Sequence, residues 1–202
     1  MWNAPGVQYP EMIGKLVIID TPGPDEAGAG SYLYGVVKRQ LQRSSLILLI
    51  MNYAALRTEG DQRIREEVRR VAHLTRPENV YVLVNKIDQR GEPPEHLTQE
   101  QTAMAAINGA GLRDRNARSR VFEISALHGL TSVQFFQIAD GKRSGDEADA
   151  ATRALLRQYY PRNWERMIQT ITPEELRKLA GDLWIESGFP EFLSSAIAFM
   201  AR

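Results

Sequence analysis

The sequence contains no cysteine, which removes disulfides, thiolate zinc sites and thiol nucleophiles and fits a reducing compartment. It has no excess of either charge. Its 25 Lys and Arg balance 25 Asp and Glu, so no overall field draws it toward nucleic acid or anionic lipid. The three histidines, His73, His96 and His128, are scattered, without the helical pair or Glu-x-x-His spacing of a metal site. The apolar run Leu46–Met51 falls far short of the roughly 20 residues needed to cross a bilayer. Met1-Trp2-Asn3-Ala4-Pro5-Gly6 has neither the basic head nor the apolar stretch of a secretory leader. With 202 residues, 43% of them hydrophobic, a cytoplasmic protein with one core of respectable size is expected.

What the sequence does contain is three apolar stretches that each end in a polar signature. The first is Lys15-Leu16-Val17-Ile18-Ile19-Asp20-Thr21-Pro22-Gly23-Pro24-Asp25. Leu16 to Ile19 reads as a buried strand, stopped by Thr-Pro-Gly-Pro. Asp20 then stands where a parallel sheet delivers side chains into a crevice at the strands' carboxyl ends. A carboxylate there can hold a magnesium ion, and a nearby glycine lets a backbone N–H approach a terminal phosphate.

The second stretch, Val80-Tyr81-Val82-Leu83-Val84-Asn85-Lys86-Ile87-Asp88, is another buried strand, ending in Asn-Lys-x-Asp. A carboxylate at that spacing can accept both the N1–H and the exocyclic amine of guanine; adenine offers no such adjacent donors. The lysine stem can lie over the purine, and the Asn side chain can tie neighbouring loops together. The third, Phe122-Glu123-Ile124-Ser125-Ala126-Leu127, is a strand followed by a Ser-Ala turn suited to giving a backbone N–H to the guanine carbonyl.

On these residues the chain resembles the translation-factor class of P-loop GTPases and, within it, the dynamin-like branch. Asp20-Thr21-Pro22-Gly23-Pro24, the Leu46–Asn52 strand, Arg57-Thr58-Glu59-Gly60-Asp61, Asn85-Lys86-Ile87-Asp88 and the closing Ser187-Gly188-Phe189-Pro190-Glu191-Phe192-Leu193 carry the likeness. It is similar in particular to the bacterial clamp-binding type found at replication forks. The likeness covers nearly the whole chain, but only the later part of that family's GTPase domain. It implies an α/β fold, a parallel sheet sandwiched by helices, binding of GTP or GDP with Mg²⁺, and hydrolysis coupled to self-association through the GTPase domain. Asp20, Thr21 and Gly23 would form the catalytic set. Asp20 would reach Mg²⁺ through water and the Gly23 N–H would meet the γ-phosphate, while Asn85, Lys86, Asp88, Ser125 and Ala126 would hold the base. The attacking nucleophile is water, for which no general base can be named. Pro24 stands where Ras-like relatives carry a water-orienting glutamine.

One family element has no counterpart. No Gly-x-x-x-x-Gly-Lys-Ser/Thr occurs anywhere in the sequence, so the loop that cradles phosphates is lacking. Its strand would lie between Leu16–Asp20 and Leu46–Asn52, and losing it leaves two apolar edges unpaired. The expectation is a fragment of a longer product, with Met1 an internal start and with weak or no activity alone. The alternative is a non-catalytic interaction module or degenerate relic, whose two strands close up on each other. On either reading a sliding clamp or a membrane would be reached through parts outside this chain, and direct binding of nucleic acid is not expected.

Residues 1–14 read as an entry loop, 15–127 as the sheet-and-helix core, 128–187 as a helical insertion and 188–202 as a closing helix. Helices are expected over Ser31–Ser44, Gly60–Thr75, Thr98–Asn108 and Glu147–Tyr160. Another begins at Thr172-Pro173-Glu174-Glu175, with Thr at the N-cap, Pro first and Glu third. The loop Arg113–Arg120 reads as a solvated basic connector. Arg157, Tyr159, Tyr160, Arg162, Trp164 and Arg166 could stack on single-stranded nucleic acid, but helix packing is the expected role.

Overall fold

A computed structural model describes residues 17–20, 39–40, 43–57, 79–90, 98–112, 115–139 and 146–200. These fall into two compact units divided between Glu123 and Ile124.

The first unit is built on β2 (Val80–Asn85), whose Val-Tyr-Val-Leu-Val run is buried on both faces, as expected of a central strand in a parallel sheet. β1 (Ile47–Asn52) pairs with it in parallel from Ile47 opposite Val80 to Asn52 opposite Asn85. β3 (Val121–Glu123) pairs on the other side, Val82 opposite Val121 and Val84 opposite Glu123. The order is β1-β2-β3, and the carboxyl ends of the three strands lie nearly level. Val82 and Val84 are wholly buried, each worth about 1.5–3 kcal/mol in apolar area removed from water. They share a core with α1 (Gln99–Ala110), which contributes Ala103, Ala106 and Ala110. Three alanines along one stripe let that helix lie close on the sheet. Thr98 caps it in a capping box: Thr98 N donates to Gln101 Oε1 (2.9 Å) and Gln101 N to Thr98 Oγ1 (3.2 Å). The helix runs through Gly109 and stops at Gly111, whose positive φ of 67° supplies the left-handed turn.

The structure corrects two expectations here. Leu16–Asp20 was expected to be a buried strand, but residues 17–20 carry no strand and lie exposed, Ile18 by 82%. The physical reason is that a strand is stable only when its backbone N–H and C=O groups are paired; β-branched composition alone does not supply a neighbour. Nor do the two strands close up on each other: among the described residues β1 is the edge of the sheet, with Ile50 64% exposed. The basic connector is also more than a solvated loop. Its end forms a 3-10 turn, Ala117–Arg120, in which Arg120 is buried and donates to the Val80 carbonyl (3.2 Å), while Arg118 donates to that of Val121 (3.2 Å). Those guanidiniums anchor the entrances of β2 and β3. Of the helix expected over Ser31–Ser44, the described residues 39, 40 and 43 are helical; the Gly60–Thr75 helix lies outside the described residues.

The second unit is helical: α2 (Ala126–Ala139), α3 (Asp146–Tyr159), the single turn α4 (Trp164–Met167), α5 (Pro173–Glu186) and α6 (Phe189–Met200). Phe135, Leu155, Ala180 and Leu183 form its core. Ser132 donates to the Ala180 carbonyl (2.6 Å), which ties α2 to α5. The Thr172 capping box of α5 is present, with Pro173 at its start. There the Thr172 backbone and side chain hydrogen-bond the Glu175 carboxylate and lower its pKa.

Two glycines of this unit differ in what surrounds them. A Cβ on Gly129 would meet the Phe189 ring at 2.7 Å, and that ring is already stacked on Trp184 with centroids 6.0 Å apart. A Cβ on Gly181 would meet nothing within 4 Å. Gly129→Ala is therefore expected to destabilise by about 1 kcal/mol, the overpacking cost exceeding the gain in helix propensity. Gly181→Ala should stabilise by about 0.5–1 kcal/mol. Urea unfolding of the two variants checks both signs.

Candidate functional site

β2 ends at Asn85, and the chain then turns sharply. The Asn85 side-chain carbonyl accepts the Lys86 N–H (2.8 Å), and Lys86 adopts the left-handed conformation at φ 69°, ψ 34°. It is the only non-glycine with positive φ among the described residues. For an L-residue with a full side chain this costs about 1 kcal/mol. A 3-10 turn over Ile87–Gln89 follows, closed by Gln89 N to Lys86 O and Arg90 N to Ile87 O, both 3.0 Å. The result brings Asn85, Lys86 and Asp88 together at the carboxyl end of the central strand. Lys86 is exposed and Asp88 half-buried. Asn52, Asn85's partner in the ladder, stands beside it at the end of β1 and accepts the Ala54 N–H (3.1 Å).

Beside the turn lies a group that sequence reasoning missed. Arg90 pairs with Glu123, the last residue of β3, and the same guanidinium nitrogen reaches Thr102 Oγ1 on α1 at 3.5 Å. Its Cζ lies 5.0 Å from the centre of the Tyr53 ring, where a cation–π attraction operates. Tyr53 opens the 3-10 turn Tyr53–Arg57 that follows β1. The only signal in the sequence was an arginine two residues after the Asn-Lys-x-Asp aspartate. Nothing local could pair it with a glutamate 33 residues on.

Ser125 and Ala126 belong to the helical unit. Ser125 is fully buried; its N–H donates to the Ser187 carbonyl (3.0 Å) and its hydroxyl accepts the His128 N–H (3.2 Å), an N-cap for α2. The N–H of Ser125 is thus engaged within its own unit, and Ser187, from the closing motif, holds it.

Asp20 lies in exposed coil rather than at a strand end, and Thr21 and Gly23 lie outside the described residues. No group of three or more His, Asp or Glu that could hold a metal occurs among the described residues. The turn at Asn85–Asp88 places a carboxylate two residues beyond the lysine at the end of the central strand. Among the described residues a magnesium site is not assembled: Asp20 has no strand to fix it and no companion acidic ligands gather with it, whereas a hard cation of this kind needs six oxygens.

Part of the basic and aromatic cluster packs on its own unit, while Arg162 and Arg166 lie exposed. Arg157 lies over the Trp164 ring at 4.5 Å, and Tyr159 donates to the Leu179 carbonyl at 3.0 Å. No helix among the described residues is long and apolar enough to cross a membrane.

No protein-family model matches the chain, and no solved structure does. The chain is similar to Clamp-binding protein CrfC of Escherichia coli strain K12, with 29% identity over 180 residues, 88% of this chain and 23% of that protein. A second CrfC sequence from Escherichia coli gives the same figures of 29% and 180 residues. The chain therefore spans less than a quarter of the length of the curated relatives it matches, 23%.

Burial, with the Glu186 and Asp182 carboxylates and Tyr160 nearby, pushes the Tyr159 phenol up to about 12. A folded pKa raised above the ordinary value of 10.0 means that the contribution is complete below pH 10 and is lost as pH rises toward 12. Absorbance titration at the phenolate band should show one tyrosine ionising late. Tyr159→Phe should remove that step and flatten the fall in stability between pH 10 and 12.

Proposed function

We propose that this chain is the base-reading part of a dynamin-like GTPase domain, acting on GTP with Mg²⁺ in the cytoplasm as part of a longer protein. The observation that carries the reading is the turn at Asn85–Asp88: a left-handed Lys86 that sets the Asp88 carboxylate three residues past the end of the central strand. Asp88 would accept the N1–H and N2–H of guanine, and the Lys86 stem would cover the ring. Asn85 fixes the turn through its bond to the Lys86 N–H.

In this reading residues 15–127 are the later part of the GTPase core, 128–187 a helical insertion and 188–202 its closing helix. Mg²⁺ would supply charge neutralisation at the phosphates, and Asp20, Thr21 and Gly23 would face it once Asp20 stands at the end of a paired strand. Catalysis of phosphoryl transfer rests on positioning and electrostatic stabilisation, and a chain without the phosphate loop lacks most of both. This chain alone should bind guanine nucleotide weakly and turn it over little or not at all. Self-association through the domain and binding of a sliding clamp, after the relative's name, belong to the longer protein. Among the described residues, the exposed Val17–Ile19 and the edge position of β1 favour this over a self-sufficient interaction module.

Calorimetric titration of the 202-residue chain with GDP and with ADP tests it. GDP should bind and ADP should not. Hydrogen bonds to a charged group contribute about 1.5–3 kcal/mol each, so Asp88→Ala should weaken GDP about a hundredfold or more. Asp88→Asn should invert preference toward xanthosine diphosphate, whose C2 carbonyl accepts from an amide where guanine's amine cannot. Equal binding of GDP and ADP by the unaltered chain would remove the base-reading assignment.

A further inference from the structure

We propose that Arg90 is the positioning residue of the Asn85–Asp88 turn, a role that rests on reading that turn as the guanine site. The turn needs an external hold. It contains a lysine in a strained backbone conformation, no residue of Ile87–Gln89 is buried, and its N-cap Lys86 makes no side-chain cap hydrogen bond, Asn85 holding only the entry through the Lys86 N–H. Two backbone hydrogen bonds close it. A turn with so little of its own packing exchanges among conformations unless something outside pins it.

Arg90 is placed to do that. Its backbone caps the turn, donating to the Ile87 carbonyl, so any displacement of the turn displaces its side chain. That side chain is fastened to three elements around β2: Glu123 at the end of β3, Thr102 on α1, and Tyr53 just beyond β1. A guanidinium suits this role because it is planar and always charged, offers several donors and also packs on an aromatic face. A lysine, as a point charge, could meet Glu123 but not the whole set.

The arrangement is also poorly explained by stability. The pair is largely removed from water, at 23% and 12% side-chain exposure for Arg90 and Glu123. Pairs of this kind often add nothing over an apolar packing of the same volume. Among the described residues, Arg90 Nε is buried without a hydrogen-bond partner, a cost that a purely stabilising side chain would not carry. What the pair does supply is a fixed distance from the end of β3 to the residue two beyond Asp88.

The test is NMR on the full 202-residue chain, comparing Arg90→Ala, Arg90→Lys and Glu123→Gln with the unaltered protein. Loss of a charge-assisted hold should speed amide exchange at positions 89 and 90 about ten- to a hundredfold. The Lys86 Cα shift should move off its left-handed value, while the Val82–Val84 amides keep their protection. Arg90→Lys, which keeps the charge and the fold, should recover only part of the Lys86 shift. Unchanged exchange and shifts in Arg90→Ala overturn the proposal. So does a uniform rise that includes Val82–Val84, which makes Arg90 a general stabiliser. GDP and ADP titrations of the unaltered chain separately decide the guanine reading beneath it. With that reading intact, Arg90→Ala should lower GDP affinity about tenfold, on the scale of one charged hydrogen bond, and leave ADP as it was.

Discussion

The pairing of β2 on both edges is the constraint from which the first unit follows. A strand buried on both faces and bonded on both sides has no freedom left in its register, because a slip of one residue would turn every side chain to the wrong face. With Asn52 opposite Asn85 and Val84 opposite Glu123, the three strands release the chain at nearly the same level. A polar turn in that place is fixed relative to two neighbouring strand ends, as ligand sites of open parallel sheets require. The sheet therefore does for Asp88 what no local sequence could do. It turns a flexible aspartate in a short turn into a carboxylate at a defined position.

The same constraint explains what was legible in the sequence and what was not. β2 announces itself because its signal, five apolar residues with three valines, coincides with the environment it finds. The starts of α1 and α5 are legible for a similar reason: Thr98 with Gln101, and Thr172 with Glu175, complete their hydrogen bonds within four residues. Leu16–Ile19 has as strong a strand composition as β2, yet the described part of it lies exposed and unpaired. Composition records willingness to pair and is silent about whether a partner is present. Arg120 and Arg90 were obscure for the opposite reason. Each is charged, and charge reads as surface, but their partners, Val80 and Glu123, lie 40 and 33 residues away.

Ser125 shows how one residue can satisfy a motif and a structural need at once. Its position after the third strand invites a role at the base, but its burial and its bonds to Ser187 and His128 are those of a helix cap. The two roles need different atoms. Capping uses the hydroxyl and fixes the first turn of α2, and that turn carries Ala126. The Ser187-Gly188-Phe189 segment takes part from the other side, because Ser187 receives the Ser125 N–H and Phe189 fills the space that Gly129 leaves open. A motif recognised at the end of the chain thus acts on a loop more than sixty residues earlier.

A nucleotide presents two chemically separate ends, and on the proposed reading this chain is equipped for one of them. Reading a base needs few groups held rigidly, since discrimination comes from complementary donors and acceptors and is lost when they wander. Holding phosphates needs many backbone N–H groups and a cation. On the proposed reading, the turn after β2 supplies the first, with Asn85 and Arg90 fastening it. At the second end it offers only a lone exposed Asp20. Among the described residues β1 is the edge of the same sheet, and a strand added there would extend the series of carboxyl ends by one. Base selectivity and phosphate affinity are then separable properties, each with its own structural support. The selectivity can be present in a chain whose affinity is weak.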